Sequence, residues 1–250
     1  MKYSVAALSI VAVALSACGG GGGSSPTMNP VTPTSAQGLW NGTTSSGRSI
    51  AGLVLDDGTY WFIYTAVGNN AVIAGAVQGH GTSSNGAFTS SDGIDFNLEG
   101  LGSNGFSLSG TYTDKSTLGG TQTYTTGGSG TFTTTYSTDY ELAPCLATVA
   151  GTYSGTAATL GGTELTTVTI SSTGAISGSS ASGCAYSGTA STRAKGNVYD
   201  VSVTFNGGVC SNGTTTVTGA AYYVLTSKRL ISAALNTGRT NGFLFEGTKP

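Results

Sequence analysis

Tyr199-Asp200-Val201-Ser202-Val203-Thr204-Phe205 alternates without a break between apolar and polar residues. An extended chain sends successive side chains to opposite faces. Tyr199, Val201, Val203 and Phe205 therefore share one side, and Asp200, Ser202 and Thr204 the other. Phe106, Leu108 and Tyr112 stand against Ser107, Ser109 and Thr111 in the same way. One apolar face and one hydroxyl-rich face is the pattern of an antiparallel sheet with one side wet. Turn residues such as Asp56-Asp57-Gly58, Gly68-Asn69-Asn70, Ser84-Asn85-Gly86 and Gly127-Gly128-Ser129 cut the chain between runs of this kind.

Outward from these runs, strands are expected near 38–44, 49–56, 59–66, 71–81, 86–98 (irregular), 105–113, 117–126 and 130–137. A second set falls near 151–156, 163–170, 175–180, 184–193, 198–205, 214–224, 229–236 and 241–247. Gly38-Leu39-Trp40-Asn41-Gly42-Thr43 opens the first set, and Gly151-Thr152-Tyr153-Ser154-Gly155-Thr156 opens the second. Thr126-Gly127 with Phe132 is echoed by Thr237-Gly238 with Phe243, an offset of about 110 residues that is domain-sized. The expected class is all-β: two tandem eight-stranded antiparallel meander barrels (or sandwiches), residues 38–137 and 149–250, joined by a linker at 138–148. Side chains just fill a barrel of this size, so no large ligand cavity is expected.

Composition removes several functions. The 250 residues include 41 Gly and 41 Thr, only 8% are charged, and the formal net charge is −2. Nine Lys and Arg in total cannot build a nucleic-acid surface. One His and few carboxylates leave little for a metal site or acid–base chemistry, and no cofactor is called for.

The N-terminus carries a leader. Lys2 is followed by the apolar run Ala6 to Leu15, too short to cross a bilayer, and then by Leu15-Ser16-Ala17-Cys18. This stretch resembles the lipobox of bacterial lipoproteins. The resemblance implies a signal peptide at 1–17, cleavage before Cys18, and acylation of Cys18 (palmitate among the chains), enough to hold the chain on a membrane. Gly19 stands where an Asp would imply inner-membrane retention, so the outer membrane is implied. Residues 18–37, rich in Gly, Ser, Pro and Thr, read as a flexible tether. A lipid-anchored chain of small barrels resembles the barrel domains of transferrin-binding protein B and factor H-binding protein, on the Gly-x-Trp/Tyr-x-Gly strand openings. It departs from those families in lacking their abundant Lys and Glu.

Parity along a meander gives the cysteines and charges places. Cys184 and Cys210 fall at one end of the second unit, and an exported chain can oxidise them. A Cys184–Cys210 disulfide is expected, worth about 3 kcal/mol by loop entropy. Cys145 falls at the opposite end and is left as the odd thiol, either buried or paired between molecules. Residues 38–140 carry Arg48 and Lys115 against seven carboxylates, and residues 145–250 carry six Lys and Arg against three carboxylates. Asp56, Asp57 and Asp114 of the first unit, and Arg193, Lys195, Lys228 and Arg229 of the second, lie in turns expected near the linker. One reading has them face each other and orient the domains. Another leaves them as solvated hairpin charges, and a third makes the basic turns a contact for acidic lipid A or host glycans.

Tyr60-Trp61-Phe62-Ile63-Tyr64 puts aromatics on both faces of one strand. Tyr60, Phe62 and Tyr64 share one side, Trp61 and Ile63 the other. One face must be core, and the other is either buried by a neighbour or exposed as a strip for a sugar or protein. His80 sits in Gly79-His80-Gly81 with no nucleophile elbow near it, so it reads as ordinary packing. Together these features indicate a lipid-anchored, non-catalytic outer-membrane protein, at the cell surface, binding a protein or glycan in the manner of an adhesin or host-factor receptor. The alternative is a periplasm-facing envelope protein that binds cell-wall material or an outer-membrane complex.

Overall fold

The computed structural model describes residues 34–250. Cys18, the leader and most of the tether lie outside the described residues.

The first barrel is built from β1 (Gly38–Thr44), β2 (Ser49–Val54), β3 (Thr59–Ala66), β4 (Asn69–His80), β5 (Thr82–Ser84), β6 (Ala87–Asn97), β7 (Gly102–Thr113), β8 (Thr117–Tyr124) and β9 (Ser129–Ser137). Each strand pairs antiparallel with its neighbour, β1 pairs β9, and β4 pairs β6, so the ring is closed. The expected fourth strand is broken at Gly81, and its short continuation β5 pairs with the start of β6. The second barrel runs β10 (Gly151–Thr159), β11 (Gly162–Ile170), β12 (Ala175–Ser180), β13 (Ala185–Thr192), β14 (Val198–Phe205), β15 (Thr216–Val224), β16 (Arg229–Leu235) and β17 (Gly242–Thr248), closed by β10 against β17. A 3-10 turn (Thr138–Glu141) and the single helical turn α1 (Leu146–Val149) join them. Closure removes the unpaired edges that Thr-rich strands would expose.

Both barrels start with the same device. Trp40 and Tyr153, each fully buried, stand at the third position of the two Gly-x-Trp/Tyr-x-Gly openings. Trp40 Nε1 donates to the carbonyl of Ala36 at 2.9 Å, and Tyr153 Oη donates to that of Val149, each bond folding the preceding chain back under the barrel. The closing glycines, Gly42 and Gly155, lie where the first strand meets the last. A Cβ there would come within 1.9 Å of Thr133 O and 2.0 Å of Glu246 O respectively, so only glycine lets the seam close.

Ala36 is fully buried in the first barrel's core. The stretch 34–37, read from the sequence as tether, is thus seated in the barrel's closed end. Ala36 N donates to Ser83 Oγ, and Tyr112 Oη donates to Thr34 O at 2.7 Å.

Inside the second barrel, Tyr199, Val201, Val203 and Phe205 point inward as their alternation requires, joined by Tyr153, Tyr186, Phe243 and Phe245. Cys184 and Cys210 form a disulfide with Cα atoms 4.7 Å apart, tying the start of β13 to the loop before β15. Cys145, expected to be the odd thiol, is not free.

The barrels pack side by side. Leu39, Leu53, Trp61, Ile63 and Phe96 on the outer wall of the first meet Val198, Tyr222, Ile231, Ala233 and Leu244 on the outer wall of the second. The fit is close where Trp61 and Ile63 meet Tyr222 and Ile231, with a void of about 20 Å³, and to one side a cleft of about 540 Å³ opens between the barrels, lined by Trp61, Gln78, His80, Arg193, Thr218 and Arg239.

Candidate functional site

The first barrel is hollow at one end. Its closed end is filled by Trp40, Tyr60, Phe88, Tyr112 and Leu118. Above them a cavity of about 660 Å³ opens between the β1–β2, β6–β7 and β8–β9 turns. This corrects the expectation of a filled interior. The second barrel obeys that expectation, with a void of only about 30 Å³ among Val168, Ile176, Tyr186 and Phe243. The difference lies in the inward residues. The second barrel's interior is packed with Val201, Val203, Phe205, Phe243 and Phe245, whereas the lining of the first barrel's hollow includes the small or polar Asp95, Asn97, Gln122 and Gly130.

The cavity wall is apolar and aromatic, formed by Ile50, Phe62, Val77, Leu108 and Phe132. Its polar floor is Asp95, which is 9% exposed. Asp95 Oδ1 accepts from Tyr64 Oη at 2.7 Å, and Oδ2 accepts from Tyr124 Oη at 2.9 Å. Asn97 Nδ2 donates to Tyr64 Oη at 3.3 Å. Burial raises the Asp95 carboxyl above the ordinary carboxylate range, against the lowering effect of the two tyrosine bonds and of Arg48. Burial also raises both tyrosine hydroxyls, so they remain donors. At the rim, Arg48 lies 5.3 Å from the Tyr64 ring centre and pairs with Glu99 at 2.6 Å.

A bulge puts Asp95 there. Ser90 faces Leu108 and Gly93 faces Phe106, so Ser91 and Asp92 occupy an extra step in β6. Phe88 and Ser90 point inward before the step. After it Gly93, Asp95 and Asn97 do, while Ile94 and Phe96 turn out toward the second barrel. Strict alternation through 86–98 would have sent Asp95 outward, so sequence reading missed it. The Ser-Ser-Asp-Gly stretch at 90–93 was the available signal.

The aromatic strand divides as its parity demands. Tyr60, Phe62 and Tyr64 face the interior and line the cavity, and Trp61 and Ile63 lie between the barrels. All five are at most 8% exposed, so this strand offers no surface strip.

The charges meet only in part. Arg193 reaches across to Asp56 at 2.7 Å and Asp57 at 3.1 Å while holding Asp200 of its own barrel at 2.7 Å. Arg229 pairs within its barrel with Glu246 at 2.9 Å. Asp114, Lys195 and Lys228 make no salt bridge among the described residues. A second crossing contact went unread in the sequence. Arg239, in the β16–β17 turn, donates to Asp92 Oδ2 at 3.1 Å, to Asp92 O at 2.7 Å and to Gln78 O at 2.9 Å. Arg193 and Arg239 sit at opposite ends of the second barrel, so the contact runs wall to wall rather than end to end.

Asp92 also holds His80, with Nδ1 at 2.7 Å and the backbone N–H at 2.8 Å. Ser90 Oγ is nearby but donates to Asp92 at 3.1 Å and accepts from Tyr60. A nucleophilic serine has to be bonded to the imidazole, and this one is bonded to the carboxylate instead.

No protein-family model matches the chain, and no curated protein matches it. Solved structures do. A Bacteroides fragilis chain, provisionally named an outer membrane protein, matches at 14% identity and TM-score 0.26, over 87% of this chain and 97% of that one. Transferrin Binding Protein B from Haemophilus parasuis matches at 11% identity and TM-score 0.32, over 82% of this chain and 51% of that one. The same protein from Neisseria meningitidis matches at 12% identity and TM-score 0.32, over 80% and 51%. This chain thus spans about half the length of the transferrin-binding structures. At these scores no residue's role carries over.

Proposed function

We propose that the protein is a non-catalytic binding protein of the bacterial outer membrane, anchored through a lipid on Cys18, with the open end of its first barrel as the binding face. The observation that carries this reading is the contrast between two barrels of one architecture, one filled and one hollowed to about 660 Å³. That volume lies in the range of small-ligand sites, and the mix of apolar wall and few polar groups suits one. A closed barrel holds the surrounding turns rigidly. At the rim Leu101 is 82% exposed, a large apolar side chain left in water beside the opening. The lipobox at Leu15–Cys18 supports the anchor.

Protease shaving tests the placement. A protease-cleavable epitope tag in the Thr226–Ser227 turn, away from the cavity, is followed in intact and lysed cells. Loss of the tag from intact cells supports a surface receptor. Survival until lysis moves the protein to the periplasmic face, as an envelope component. Cys18→Ala should abolish incorporation of labelled palmitate, and continued labelling would overturn the anchor.

A further inference from the structure

We infer that the first barrel's cavity takes a small organic cation, an ammonium carried on an apolar or aromatic body. This rests on the reading of the cavity as a binding site and names its ligand class.

Three observations converge. First, the charged groups at the cavity sum to a negative charge once the Arg48–Glu99 pair is counted. Of the charged cavity-lining residues, Arg48 is already engaged, since its guanidinium donates to Glu99 at 2.6 Å and to Thr65 O at 3.0 Å. Asp95 is left as the carboxylate facing the space. Arg48, Glu99 and Asp95 together leave one net negative charge there.

Second, Asp95 has acceptor capacity left. A carboxylate offers about four lone-pair positions. Tyr64 and Tyr124 use one on each oxygen, and no other donor among the described residues is bonded to either. The tyrosines fix the orientation of the group, and the remaining positions are open to a donor entering from the cavity. A carboxylate buried without a cationic partner is costly, and an ammonium would supply that partner.

Third, the walls suit the rest of such a molecule. Phe62, Tyr64, Tyr124 and Phe132 put ring faces and edges around the space, and Ile50, Val77 and Leu108 fill between them. Aromatic rings beside a carboxylate attract organic ammonium groups, and the apolar wall buries the body. An anionic ligand would meet Asp95 with a like charge, and a sugar would leave the aliphatic wall uncovered.

The test uses the full-length chain in nanodiscs, in an amine-free buffer. Titration calorimetry compares tryptamine, 3-methylindole and indole-3-propionate, which share a ring and differ in charge. Tryptamine should bind more tightly than either partner by roughly tenfold or more, the size of a charge-assisted hydrogen bond. Asp95→Asn should remove that preference, bringing tryptamine to the affinity that 3-methylindole shows in the same variant. Gln122→Trp, filling the cavity from β8, should abolish binding of all three. Equal binding of the three probes, or an amine preference that survives Asp95→Asn, overturns the ammonium assignment while the cavity stands as a binding site. Absence of tryptamine binding to a folded wild type overturns it as well. Binding that persists in Gln122→Trp places the site elsewhere and removes the reading on which the assignment rests.

Discussion

Asp95 is costly to the fold. Its carboxyl is raised above the unfolded-chain value by burial, so the folded protein holds that proton more tightly than the unfolded chain does. Stability from this group is present at acid pH and is lost as pH rises through the raised value. The groups facing it are Tyr64 from β3, Tyr124 from β8, Asn97 on its own strand and Arg48 at the cavity rim. Asp95→Asn, which can still accept from Tyr64 and can donate to Tyr124, should stabilise the protein at neutral pH. The gain should shrink as the wild type is acidified, as read by urea midpoints across pH. A constant difference would mean that the carboxyl does not titrate in that window. Tyr222 makes the complementary case in the seam, where its hydroxyl is buried with no partner among the described residues. Tyr222→Phe should raise stability by about 1 kcal/mol, the burden of an unsatisfied buried hydroxyl, and a loss of that size would show that a partner exists. Neither effect was legible in the sequence. Tyr222-Tyr223 and Asp95 look like any other strand residues until register fixes which way each points.

At the scale of elements, the sequence was most readable where alternation was unbroken. β14 and β7 lie where their patterns put them. The irregular run 86–98 was legible as a strand and illegible as a face, because one extra residue reverses inside and outside beyond it. The pairing of Cys184 with Cys210 followed from strand parity together with the reading of the chain as exported. Compositional reading failed at 34–37, where Thr34-Ser35-Ala36-Gln37 is tether-like yet Ala36 is fully buried. Here the barrel's need for a plug overrides local polarity. A chain beginning at Thr34 is therefore the reference against which the plug is tested. Removing residues up to 37 takes away Ala36 and the acceptors of Trp40 and Tyr112, and should lower the denaturant midpoint by about 2 kcal/mol or more in stability. Equal stability of the two truncations would show that the plug contributes nothing.

At the scale of the molecule, two kinds of contact join the barrels. Arg193 and Arg239 bridge partly exposed carboxylates, and such pairs are weak individually. Trp61 is buried in the apolar wall and packs closely with Ile63 against Tyr222 and Ile231. Trp61→Ala should therefore lose roughly 3–5 kcal/mol, and Arg193→Ala about 1 kcal/mol, in urea unfolding of the whole chain. The opposite ranking would mean that charge, not apolar contact, holds the barrels together. The charge asymmetry between halves was visible in the sequence and correctly hinted at attraction between them. It could not show that attraction is exerted along the walls, because only the fold reveals that Ile94, Phe96 and Trp61 are outward-facing.

The plug at 34–37 also gives the molecule a direction. The polypeptide enters the first barrel at its sealed pole, and the opening between the β1–β2, β6–β7 and β8–β9 turns lies at the other. Thr34 and the way into the cavity therefore occupy opposite poles. A probe coupled to a cysteine introduced at exposed position 34 would sit at the far pole from the doorway and leave the vestibule clear.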